Sequence, residues 1–304
     1  MQVPTFAPAS MHDIALTESQ RALLPTDEDV AFYETHGYYV SKPGVLPDAL
    51  IEQGVRGAER LYRGDLDRPL PIADGYARSR VRDDRSPRND EFVSLQVSEL
   101  SALVRWPLIG AIAARLTRSA SIRLLDDQLV WKPGNPDRPA TTVTGWHADG
   151  AYWSTCSSSK LVTAWVPMHD IAPDGGPLVV MAGSHRWPDL QNLRHFNVQD
   201  LDRLQQRFRE EGRRIEIVPM TLRKGQVSFH HAWTVHASLP NVGSRPRLAM
   251  AIHMQDGDNR YRPFTTAEGR EIHIFDEQLC RRLPNGDPDF ADPDVFPELW
   301  SEAC

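Results

Sequence analysis

Cysteine is scarce in this chain. Cys156, Cys280 and Cys304 are the three present, an odd and scattered set from which neither a disulfide framework nor a zinc knuckle follows. No transmembrane-length apolar run stands out, so no membrane partner is expected. Residues 1–20 lack the basic start and apolar core of a secretion signal, which makes a cytoplasmic, reducing setting the expectation. Positive charge is in deficit: 34 Lys and Arg stand against 41 Asp and Glu, for a formal net charge of -7. That argues against an extended nucleic-acid surface and leaves room only for a local basic groove. Repeats and low-complexity tracts are absent. What remains is a soluble globular composition, 40% hydrophobic and 25% charged over 304 residues, enough for a sizeable core.

Residues 1–26 read as a loose arm and 27–304 as a single domain whose first part is helical. DEDVAFYETHGYYV predicts a helix capped by Asp27 or Asp29, a Gly37 turn and a short strand. A second helix follows over about 50–62, with Leu50, Val55, Ala58 and Leu61 on one face. Periodicity then disappears over 65–90, where Arg78, Arg80, Arg82, Arg85 and Arg88 mark either a solvated loop or a loop that gathers an anionic substrate. Residues 99–117 resume a helical pattern interrupted at Pro107. After that come seven short strand candidates separated by Pro, Gly, Asn and Asp turns, which predict a mainly β sandwich, barrel or jelly roll. One polar helix interrupts them, inside an insertion at about 186–215 that either closes over substrate or protects a sheet edge. The tail after Asp256 is turn-rich, and DPDFADPD reads as polar coil.

One stretch among the strands carries chemistry. In TGWHADGAYW a single residue separates His147 from Asp149. Alternation along a strand points both the same way, and an imidazole with a carboxylate on one face can hold a borderline metal ion. Two histidines, one carboxylate and open positions form the usual non-haem iron(II) oxygenase site. QVSFHHAWTVHASLPN offers the second histidine, with His230, His231 and His236 equally able as imidazoles. In RLAMAIHM, alternation puts Arg247, Ala249 and Ala251 on one face, leaving space beside one guanidinium. A buried arginine needs an anionic partner, either a bound dicarboxylate or a protein acid. Trp131, Trp146, Trp153 and Trp233 flank the presumed mouth and are either core or contacts to an apolar substrate. Thr155, Ser157, Ser158 and Ser159 read as a loop around a passive Cys156.

Taken together, the opening FYETHGYYVSKPGVL, then WKP, WHAD, AWVPMHDIAPDGGPLVVMAGSH and HASLPNVGSRPRLA, resemble the phytanoyl-CoA dioxygenase family over about 29–255. The resemblance implies a double-stranded β-helix of the cupin-like jelly-roll type with buttressing helices. It implies an oxidoreductase using iron(II), 2-oxoglutarate and O2, with His147, Asp149 and His236 as iron ligands. Arg247 matches the arginine that binds the distal carboxylate of 2-oxoglutarate, with Ser238 assisting. Lys132 and Gln128 match polar positions on the strand feeding the site, either cosubstrate contacts or ordinary strand-end residues. Asp149 separates the chain from halogenating relatives, in which a small residue stands there. The implied reaction is hydroxylation of an unactivated carbon in a small-molecule substrate, with release of succinate and carbon dioxide. Many relatives act on natural products, and no element for binding coenzyme A stands out here. Desaturation, epoxidation or ring formation stay open, as do a cupin-like metalloenzyme without 2-oxoglutarate and a non-catalytic binding protein. Oligomeric state is not legible.

Overall fold

The computed structural model describes residues 16–70, 87–134, 137 and 139–302. Residues 1–15 of the expected arm, the arginines at 78, 80, 82 and 85, and Cys304 lie outside them.

The helical part comes first. A short α1 (Glu18–Arg21) precedes α2 (Asp27–His36), whose N-cap is Thr26 and not either aspartate. Asp29 serves as the reciprocal partner of a capping box, its carboxylate accepting from the Thr26 backbone N–H at 2.8 Å. Gly37 ends the helix at φ 77, the left-handed region a side chain resists. After β1 (Tyr38–Val40) comes α3 (Asp48–Arg63). Its most buried stripe is Ile51, Gly54, Gly57 and Ala58, with Leu50, Val55 and Leu61 only partly buried. The two glycines bring α3 onto α4 (Ser98–Val104): an added Cβ at Gly54 would meet Leu103 at 2.8 Å. Although Ser98–Thr117 is long and apolar enough to cross a membrane, contrary to the sequence reading, it is two helices. Pro107 starts α5 (Pro107–Thr117), and most of the stretch is buried in the core.

The remaining strands are β2 (Arg88–Glu91), β3 (Ser121–Lys132), β4 (Thr144–His147), β5 (Val162–Pro167), β6 (Leu178–Met181), β7 (Ile217–Pro219), β8 (Ser228–His231), β9 (His236–Ser238), β10 (Arg247–Asp256), β11 (Phe264–Thr265), β12 (Glu271–Ile272) and β13 (Glu298–Ser301). A seven-stranded sheet runs β1-β8-β5-β10-β3-β13, with β2 also on β3; a four-stranded sheet runs β4-β9-β6-β7. All pairings are antiparallel. Alternation along each strand separates two faces. Outward residues of the large sheet, among them Leu124, Leu129, Val162, Ala164, Phe229, Met250 and Ile252, pack with the helices into one core. Inward, Trp165, Ala249 and Ala251 meet Leu178 and Val180 of the small sheet. This is the expected jelly roll: two facing sheets, with the site between them.

The inserted helix α6 (Leu201–Glu210) is a buttress. Leu204 and Phe208 pack on the outward face of the small sheet with Trp146, Val179, Met181 and Val235. Between β12 and β13, residues 274–296 include α7 (Asp276–Leu279) and contribute Ile274, Cys280, Phe290 and Phe296 to a cluster around Trp153.

Candidate active site

His147 is the last residue of β4 and His236 the first of β9, and the two are direct register partners. Their side chains therefore rise from one face of neighbouring strands, ring centroids 4.1 Å apart. Ala148 stays extended at φ -123, ψ 129, so alternation persists past the strand end and returns Asp149 to the inward face. One ligand atom from each of His147, Asp149 and His236 converges, all within 4.8 Å of one another. Nδ1 of His147 donates to the Gly145 carbonyl at 2.8 Å and Nδ1 of His236 to that of Thr234 at 2.9 Å. Each ring thus turns an unprotonated Nε2 inward, His147 at 3.7 Å and His236 at 3.4 Å from Asp149 Oδ1. Burial holds both imidazoles below the usual histidine range, in the neutral form that binds metal.

Asp149 uses its other oxygen to hold itself in place. Oδ2 accepts from the Thr163 hydroxyl at 2.6 Å and from His230 Nε2 at 3.2 Å. With its proton committed to Asp149, Thr163 accepts from His253 Nδ1 at 2.9 Å. Burial raises the Asp149 carboxyl, but His236, His230 and His253 outweigh it and keep the group well below its ordinary range. Two imidazoles and one fixed carboxylate, with backbone-anchored rings, fit a borderline divalent metal such as iron(II). His230 is thus a support of Asp149. His231 faces elsewhere, beside His185 and Tyr33, with Nδ1 accepting from the Trp233 backbone.

Deeper along the same interior, Arg247 and Lys132 are register partners, 2% and 0% exposed. Lys132 Nζ donates to Ser238 Oγ and, at 2.7 Å, to the Leu239 carbonyl. Arg247 donates to the Gly176 carbonyl at 2.7 Å and lies over Trp165, while its Nε has no partner. Burial lowers Arg247 to about 10; burial and then Arg247 lower Lys132 well below the lysine range. Among the described residues no carboxylate pairs with either. Two unpaired buried cations are costly unless an anion arrives, and a planar fork beside an ammonium fits the distal carboxylate of 2-oxoglutarate.

Register and alternation place the other expected site residues. Gln128 lies four residues back along β3 from Lys132, about 13 Å at the usual strand rise, and its amide binds Glu91 and Asp126. It faces the same interior as Lys132, as the register partner of Ala251, and its amide hydrogen bonds run to these acids and not to Arg247 or Lys132. Trp146, next to His147, points outward into the α6 core and donates to the Leu201 carbonyl at 3.0 Å. Trp131, next to Lys132, shares the outward side with its partner Leu248. Trp153 does reach the site, edge-on to His253 at 4.9 Å, and Trp233 packs over Gly150. Sequence reasoning missed Thr163 and His253, both legible only from register, and two residues of the insertion. Phe196 stacks edge-on against His147 at 5.1 Å, and Arg194 Nε donates to the Ala151 carbonyl at 2.6 Å. Gly145 permits that approach, since a Cβ there would lie 2.0 Å from the His195 carbonyl.

Facing antiparallel sheets around a His-Asp-His donor set define a mononuclear non-haem metalloenzyme of the double-stranded β-helix class. The chain belongs to the phytanoyl-CoA dioxygenase (PhyH) family, whose model matches residues 33–249. Membership and the intact donor set make it an iron(II)- and 2-oxoglutarate-dependent oxygenase. Peroxisomal phytanoyl-CoA dioxygenase of Homo sapiens is 24% identical over 270 residues, covering 84% of this chain and 76% of its own length. Among solved structures, the non-heme alpha ketoglutarate dependent carbocyclase SnoK from nogalamycin biosynthesis is 25% identical. It has a TM-score of 0.66 and the match covers 90% of this chain and 96% of that one. The epimerase SnoN in complex with Fe3+, alpha ketoglutarate and nogalamycin RO has a TM-score of 0.63 at 24% identity, covering 90% of this chain and 98% of its own.

Proposed function

We propose that the enzyme hydroxylates an unactivated carbon of a small organic molecule of the natural-product kind. His147, Asp149 and His236 hold iron(II), and Arg247, Lys132 and Ser238 hold 2-oxoglutarate. When bound, the iron would activate O2, which supplies the oxidising power: two of the four electrons it takes up come from 2-oxoglutarate, which leaves as succinate and carbon dioxide, and two from the substrate C–H bond, which receives the other oxygen atom. Thr163 and His230 fix the Asp149 carboxylate so that only Oδ1 is free for the metal. Arg247 and Lys132 orient the cosubstrate from its far end, and Ala249 and Ala251 leave the space in which it lies. Phe196 packs on the donor His147 and Trp153 on the supporting His253, and both exclude water from the reacting face. The observation carrying this reading is the pair of buried, acid-free cations facing the same interior as the metal donors.

The test is a screen of candidate substrates for coupled 2-oxoglutarate decarboxylation, with product mass measured. Succinate formed in step with a product that has gained one oxygen atom is expected. A product that has lost two hydrogens and gained no oxygen would replace hydroxylation with desaturation or ring formation. Turnover without succinate would remove 2-oxoglutarate from the account.

A further inference from the structure

The inward face of the large sheet carries a second group of buried charges, which neither the metal donors nor the cosubstrate cations use. Register aligns Asp126 of β3, His253 of β10, Thr163 of β5, His230 of β8 and Tyr38 of β1 in one row. The middle three serve Asp149, and Asp126 stands at the β3 end of the same row. Gln128, the next inward residue of β3, donates to Asp126 Oδ2 at 3.4 Å and to Glu91 Oε1 at 3.2 Å. Glu91 is its direct partner on β2. Asp276, opening α7, brings a third carboxylate and, like Asp126, is 5% exposed. Burial, then Asp276 and Asp127, raise Glu91; burial, then Glu91 and Asp276, raise Asp126 well above the carboxylate range. Among the described residues no lysine or arginine pairs with any of the three.

A separate observation marks the space in front of them. His253 Nε2, His230 Nδ1 and Ser228 Oγ, none of them part of the acid group, are buried without a hydrogen-bond partner, as are Asp126 Oδ1 and Asp276 Oδ1. Buried polar atoms are nearly always paired. His253 and His230 sit at inward positions in the same row as Asp126, with only Thr163 between them, and Ser228 sits inward one step along β8. Unpaired atoms along this row, facing the same interior as Asp126, outline a volume that a polar ligand fills. The carboxylates are not arranged to chelate a bare ion. Among the described residues, only His147, Asp149 and His236 bring three such ligand atoms together. Acceptors spread this way suit the diverging N–H donors of an ammonium group.

We propose that Glu91, Asp126 and Asp276 bind a protonated amine of the organic substrate, with Gln128 aligning two of the carboxylates, and that this anchor selects the carbon presented to the iron. The inference rests on the oxygenase reading of the same interior. Its test uses cyclohexylamine and its neutral counterpart cyclohexanol, titrated calorimetrically into the full-length protein, both metal-free and loaded anaerobically with iron(II) and 2-oxoglutarate. The amine should bind about tenfold or more tightly than the alcohol, as charge-assisted hydrogen bonds require. Glu91→Gln and Asp126→Asn should each remove most of that preference and leave alcohol binding unchanged. Glu91 is half-buried, so its substitution keeps the test available should Asp126→Asn fail to fold. Equal affinities for the two probes, an amine preference that survives both substitutions, or binding of neither probe would overturn the proposal. Failure to load iron or 2-oxoglutarate would instead count against the oxygenase reading, with the metal-free titration still deciding the amine site.

Discussion

Arg247→Ala isolates the cosubstrate anchor. Truncating one member of a buried charge pair costs about 2–5 kcal/mol, including the penalty on the partner left behind. Here that penalty is reduced, because Lys132 is the register partner of Arg247 and stays to face the same anion. The lower half of the range applies, about 2–3 kcal/mol, which is roughly 30- to 150-fold in the dissociation constant of 2-oxoglutarate. Arg247→Lys keeps the charge and loses the planar fork, so it should recover only part of this loss. Metal affinity should be spared in both, since Arg247 touches none of His147, Asp149 or His236 and binds the Gly176 carbonyl instead. Calorimetric titration of 2-oxoglutarate into anaerobic manganese(II)-loaded protein measures the change directly. Wild-type affinity in Arg247→Ala would mean that the distal carboxylate is anchored elsewhere, and the argument from unpaired cations would collapse with it.

Asp149→Ala should abolish turnover and sharply weaken iron binding, because it removes the anionic member of the His147-Asp149-His236 donor set; undiminished iron affinity by metal titration would refute the assignment. Thr163→Val deletes the hydrogen bond to Asp149 Oδ2 and the acceptor for His253 Nδ1, and should lower metal affinity about 10- to 100-fold. Unchanged affinity would make that pair merely structural. His231→Ala, on the far side of β8 from His230, should leave metal affinity as it is, and a loss would mean the two neighbours are misassigned. The raised carboxyls of the acid group give a pH prediction whose sign is fixed: folded values above unfolded ones mean stability that is full below about pH 4 and is lost as pH rises through the folded values. Asp126→Asn should therefore raise the melting temperature more at pH 8 than at pH 6, and an equal shift at both would deny the charge repulsion.

Much of this was written in local pattern. Pro107, Gly37 and the alternating runs announced their elements because each carries its own backbone signal. What escaped was set by register and close approach. RNDE has no apolar alternation, so β2 is a strand only because β3 supplies its partner. Gly54 and Gly57 have no side chain to announce a contact, yet they form the one onto α4. His230 and His231 are adjacent, and only the pairing of β8 with β5 decides which one meets Asp149. Trp146 and Trp131 were legible in principle. The alternation that aligns His147 with Asp149 turns Trp146 away, and the same rule applied to Lys132 turns Trp131 away.

The central claim is that one interior holds iron(II) on His147, Asp149 and His236 with 2-oxoglutarate beside it. Optical titration of the anaerobic iron(II) protein with 2-oxoglutarate tests it most directly. The account predicts a metal-to-ligand charge-transfer band that saturates in the wild type and is lost in His147→Ala and His236→Ala. A wild-type protein that binds iron and develops no band, or a band that persists at full strength in both histidine variants, would contradict it.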